Sequence, residues 1–109
     1  MTWSDKREKE IDKLLELLLS RLSVDKSNLL SKSRKKEFVY GRRIFMNILF
    51  EVFEKIDPKL IQSDISGIIN RDRTSFIHHR KEHLSEHKQY KKYREDYEAL
   101  KKEYENLIK

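Results

Sequence analysis

The chain has no cysteine, one proline and two glycines in 109 residues. Without cysteine, disulfides and thiolate metal ligands are excluded, and with them the cross-linked scaffolds of small secreted domains. So few prolines and glycines leave few places where a helix must stop. Runs of β-branched residues are also scarce, so the sequence predicts a nearly all-helical chain. No stretch approaches the roughly 18 uninterrupted apolar residues of a membrane-spanning helix. The opening MTWSDKREKE lacks the apolar core of a signal peptide, so a cytoplasmic location without a membrane partner is expected. No nucleophile motif is present, and Asp57, Asp64 and Asp72 form no acid/base pair in the sequence. No enzymatic activity, cofactor or small-molecule substrate is therefore expected.

Charge is what the chain has in quantity. Charged residues make up 40% and hydrophobic residues 37%, enough for one small core under a charged surface, so 1–109 reads as a single domain. The net charge is +6. Lys32, Arg34, Lys35, Lys36, Arg42 and Arg43 fall within a dozen residues, opposed only by Glu37. Arg71, Arg73, Arg80 and Lys81 follow, whereas Ser4–Lys13 and Tyr93–Lys109 alternate in sign. Positive charge concentrated on the central third is the electrostatic footprint of nucleic-acid binding.

In segment 1–23, Ile11, Leu14, Leu15, Leu18 and Leu22 predict an amphipathic helix that begins near a Ser4 cap. Segment 24–84 is expected to hold a basic loop, the core helix and a helix-turn-helix. Asp25 is placed to cap a short helix through Leu29 and Leu30, and Ser31 to Glu37 reads as a basic loop able to touch phosphates or the minor groove. The central helix is expected from Tyr40 to Lys55, with Gly41 in its first turn and Asp57-Pro58 as its stop. Arg42 and Arg43 at its N-terminus make a candidate phosphate clamp.

The stretch from Ser63 to His83 has the pattern of a helix-turn-helix. Ile65, Ile68 and Ile69 stand at helical spacing, and a break follows at Asn70-Arg71. A second helix then opens with Asp72, Arg73, Thr74 and Ser75, with Phe76 and Ile77 expected to face inward. A major groove admits such a helix, and those polar side chains are types that read base edges. This helix is expected to run to about Leu84 and then to break or continue. His79, His83 and His87, at i, i+4 and i+8, read as solvent-facing histidines rather than a metal site.

In 85–109, Tyr90, Tyr93, Tyr97, Leu100, Tyr104 and Leu107 recur in a heptad seam. The seam packs on its own domain or forms a short dimerising coiled coil. A monomer is expected first, with a homodimer through the C-terminal helix as the alternative. The fold expected is an all-α domain of about six helices with a long C-terminal helix.

From about Val24 onward the chain resembles the C-terminal DNA-binding domain, domain IV, of the bacterial replication initiator DnaA. Leu29-Leu30-Ser31-Lys32 followed by Arg34-Lys35-Lys36 is similar to that family's LLSK stretch and basic loop. Asp64-Ile65 matches its acidic-Ile pair, and Arg71-Asp72-Arg73-Thr74-Ser75 with His78 matches its Arg-Asp-His-Thr-Thr and downstream His. The resemblance implies a Trp-repressor-like helix-turn-helix that binds double-stranded DNA. By the same likeness Asp72, Arg73, Thr74 and Ser75 would face bases. His78 would contact backbone or base, Arg43 phosphate or base, and Lys35 or Arg34 the minor groove. Arg73 replaces the family's His, which points to a different preferred site. No G-x-x-x-x-G-K-[ST] loop is present, so a stand-alone DNA-binding module without the ATPase is expected. The function expected is sequence-specific recognition in replication initiation or its regulation. A small dimeric transcription regulator and a helical interaction module built on the Tyr/Leu seam are the alternatives.

Overall fold

Every residue from Gly41 to Leu49 is buried, on all sides of one helix, which marks that helix as the centre around which the others pack. The computed structural model describes residues 3–59, 62–69, 71 and 73–108. Among these are seven α-helices: α1 (Trp3–Lys6), α2 (Glu8–Leu22), α3 (Lys26–Leu30), α4 (Lys36–Ile56), α5 (Gln62–Ile68), α6 (Arg73–Gln89) and α7 (Lys91–Leu107). They form a compact all-α domain with a Cα radius of gyration of 12.8 Å. Helix α4 touches α2, α3, α5, α6 and α7. Among the described residues no helix is long and apolar enough to cross a membrane.

The count exceeds the expected six because the first helix is divided. Arg7 leaves the helical region at φ −114°, ψ 21°. Ahead of it, the Ser4 main-chain N–H and hydroxyl both donate to the Asp64 carboxylate, each at 2.9 Å. The Trp3 ring stands edge-on to Phe53, 5.4 Å between centroids. These contacts turn α1 toward α5 instead of continuing α2. Ser4 therefore ties two helices together and does not cap a long one. Asp25 stands at the cap position of α3, but its side chain makes no capping bond.

Helix α4 begins at Lys36, one turn before the expected Tyr40, so the loop shrinks to 31–35 and Lys36 joins the first turn. It ends at Ile56, before Asp57-Pro58, as the proline dictates. Gly41 is no longer in the first turn. A Cβ there would sit 3.0 Å from Leu29 Cδ1 and 3.6 Å from side-chain atoms of Leu18 and Leu22. The missing side chain admits α2 and α3, not a phosphate.

The C-terminal seam closes the domain's own core. Tyr93, Tyr97, Leu100 and Tyr104 are almost wholly buried, while Tyr90 and Leu107 at the ends are exposed. Tyr104 meets Phe53 edge-on at 6.1 Å, and its hydroxyl donates to the Glu10 carbonyl at 2.7 Å. Helix α6 continues past Leu84 and ends at Gln89.

Candidate nucleic-acid interface

The basic loop is short of apolar anchors, and polar bonds give it its shape. The Ser31 hydroxyl donates to the Asn28 carbonyl at 2.7 Å, and the Ser33 and Lys35 N–H groups donate to the Ser31 and Ser33 hydroxyls at 3.2 and 3.3 Å. Arg42 lies beneath, with 2% of its surface exposed. Its guanidinium donates to the carbonyls of Leu29 (2.6 Å), Ser33 (2.7 Å), Ser31 (2.6 Å) and Asn28 (3.1 Å). Burial first, and the nearby Arg71 second, push this guanidinium below its ordinary range. Arg71, just ahead of α6, donates to the same Ser31 carbonyl at 2.6 Å. One loop carbonyl thus takes a guanidinium from α4 and another from the entry to α6. That shared acceptor joins the loop to the helix.

The end of α5 is closed by main-chain bonds. The Ser66 carbonyl accepts the N–H groups of Ile69 (3.3 Å) and Arg71 (2.9 Å), which closes the C-terminus of α5. Helix α6 then opens with Arg73 and Thr74 exposed and Ser75 half-buried. A cleft of about 600 Å³ lies between this opening and the loop. Lys32, Ser33 and Arg34 line it from the loop, Val39 and Arg42 from α4, and Arg71, Ser75, His78 and His79 from the α6 side. Among the described residues that line it, the side chains are cationic or neutral. Lys35 and Lys36 are exposed beside it in the chain, where α4 opens with no side-chain cap.

Behind the cleft a polar ladder joins α4 to α6 and α7. Arg43 forms an ion pair with Glu86, and its Nε lies 3.4 Å from His79 Nδ1. Asn47 Nδ2 donates to the carbonyls of Arg43 (2.8 Å) and His79 (3.3 Å). Arg80 donates to Asn47 Oδ1 at 2.9 Å and to Glu51 at 3.1 Å. Glu51 also accepts from the Tyr97 hydroxyl and pairs with Lys101 at 3.5 Å. Burial pushes the Glu51 carboxyl up, but the Tyr97 hydroxyl, Lys101 and Arg80 outweigh it and hold the group below its usual range. His83 Nδ1 and the Tyr93 hydroxyl share a 2.7 Å hydrogen bond. Burial, then the Arg43 charge, pulls His79 down to about 4. Burial likewise lowers His83 to about 4, against the opposing pull of Glu51.

The structure thus sorts the expected site residues. Arg34, Arg42, Arg71, Ser75 and His78 line one cleft. Lys35, Lys36, Arg73 and Thr74 are exposed next to those residues in the chain. Arg42 and Arg43 do not form an exposed phosphate clamp, because both guanidinium groups are buried and engaged with protein partners. Asp72 and Asn70, where the sequence placed the break, lie outside the described residues. Ile77 faces outward, with 52% of its surface exposed, while Phe76 alone faces the core. His79 and His83 are buried rather than solvent-facing. Among the described residues no three His, Cys, Asp or Glu side chains are grouped to hold a metal ion. The ladder was missed in the sequence, although Arg43, Asn47 and Glu51 recur every fourth residue in an otherwise apolar run. No family model matches the chain, and neither a curated protein nor a solved structure matches it.

Proposed function

We propose that the chain binds double-stranded DNA as a monomer, with α5 and α6 as a helix-turn-helix and α6 as the helix that reads the major groove. Loop 31–35 and Lys36 form the arm that holds the backbone. The observation that carries this reading is the cationic cleft between loop and helix, fastened by the two guanidinium groups on Ser31. A duplex needs both parts at once, since phosphate contacts fix register while base contacts select sequence. Arg73 suits guanine O6 and N7, and Thr74 and Ser75 suit either base edges or the backbone. Asp72 would read bases as the DnaA resemblance implies. The opening of α4 adds support: Lys35 and Lys36 set positive charge at a helix N-terminus, which an anion would relieve. Arg42, Arg43 and Arg71 act on DNA through the shape they give this face. The role proposed is in replication initiation or its regulation.

Selection of bound duplexes from a random library, at about physiological salt, tests the proposal. One enriched, non-palindromic motif is expected. A palindromic motif would point to a dimeric regulator, and no enrichment would remove sequence-specific recognition.

A further inference from the structure

Helix α6 wears its side chains the wrong way round for a hydrophobic pattern. Its inner face buries His79 and His83 beside Phe76, while Ile77 and Leu84 stand outside at 52% and 57% exposure. A single exposed aliphatic residue is ordinary on a protein surface. Here titratable rings occupy the core positions of the same helix that leaves its branched aliphatic residues in water. Ile77 also has a particular position. It lies one turn beyond Arg73 and Thr74, at i+4 and i+3, on the face those two residues share. Its neighbours on that face, Arg73, Thr74, His78 and Lys81, are all polar or charged and all exposed. A patch that docks another protein would be contiguous and apolar. An aliphatic side chain set singly among cations and hydroxyls suits a surface that is polar with isolated methyl groups. The major-groove edge of DNA is such a surface, because thymine alone among the bases carries an apolar C5-methyl there.

We propose that Ile77 is a specificity-determining residue that packs on a thymine C5-methyl group. This inference rests on the DNA-binding reading above. It adds that the preferred site contains a thymine set by apolar contact, beside the position set by Arg73. Leu84 stands two turns further along, roughly 10 Å from Ile77 along the axis, beyond the part of the helix that opens on the cleft.

The test replaces each thymine of the selected duplex in turn by deoxyuridine, which removes only the methyl group, and measures affinity by fluorescence anisotropy. With the wild-type chain, one replacement is expected to weaken binding about fourfold, the weight of one buried methyl. With Ile77→Ala, the same replacement is expected to change nothing, and the other thymines are expected to behave as in the wild type. Ile77 is exposed, so this variant keeps the core, and a far-ultraviolet spectrum and melting curve check that it does. If a motif is enriched but Ile77→Ala and wild type respond alike to every replacement, this inference fails while DNA recognition stands. Self-association lost in Ile77→Ala, with duplex affinity unchanged, would also overturn it and assign Ile77 to a protein contact. If no duplex is enriched, DNA recognition falls and the inference falls with it.

Discussion

Arg42 and Arg73 show one residue type in two settings. Arg42 donates to four main-chain carbonyls beneath the loop, so its charge fastens structure. Arg42→Ala would leave the Leu29, Ser33 and Asn28 carbonyls without a charged donor, Ser31 keeping Arg71, and a loss of about 2–4 kcal/mol is expected. Urea unfolding checks this, and an unchanged midpoint would contradict it. Arg73 is exposed at the start of α6. Arg73→Ala is expected to leave stability within about 0.5 kcal/mol and to weaken binding to the selected duplex by roughly 1–3 kcal/mol, with relaxed preference at one base pair. Lys35→Ala, in the loop, is expected to weaken selected and random duplexes alike and to lower the salt slope by about 1. Equal losses on both duplexes for Arg73→Ala would remove its base-reading role. None of this division could be read in the sequence, where Arg42-Arg43 and Arg71-Asp72-Arg73 offer the same cation with nothing local to tell a buried one from an exposed one. Burial sorts them, and burial depends on long-range packing.

The α4–α6 pair makes stability depend on pH. His79 and His83 titrate at about 4 in the folded chain, against about 6.5 when unfolded. Between those values the unfolded chain binds more protons, so their contribution is complete above about pH 6.5 and falls as pH drops toward about 4. Each histidine can cost up to roughly 1.4 kcal/mol per pH unit in that window. Unfolding midpoints compared between about pH 7 and about pH 5 should show this fall, and a flat profile would contradict it. Glu51 is held below its usual range, and so is Asp96 of α7, where burial is outweighed by the Tyr40 hydroxyl at 2.6 Å and Lys92 at 2.9 Å; both withdraw their stabilisation only at lower pH. The same pair shows why some elements were legible and others were not. The stop of α4 was plain, because Asp57-Pro58 is a local steric rule. Its start was hidden, because Lys35 and Lys36 oppose the helix dipole and read as loop. Helix α6 defeated the apolar period: histidines fill its core positions, and the pattern placed Ile77 inside.

At the scale of the molecule, α7 completes the core more than it offers a surface. Tyr93, Tyr97, Leu100 and Tyr104 bury against α2, α4 and α6, so a chain cut after Gln89 is expected to lose its cooperative melt rather than remain a folded monomer. A folded truncated chain by circular dichroism would contradict that. The seam's period was visible in the sequence, but period alone cannot tell an internal partner from a second copy. The overall charge was equally visible, and the fold gives it direction: the loop, the cleft and the opening of α6 share one face. The most direct test of that face is an amide chemical-shift map of the labelled chain during titration with the selected duplex. Shifts are expected to concentrate at 32–36 and 73–81, with α2 and the outer face of α7 unchanged. Shifts centred on α2 or α7, or none on addition of duplex, would contradict it.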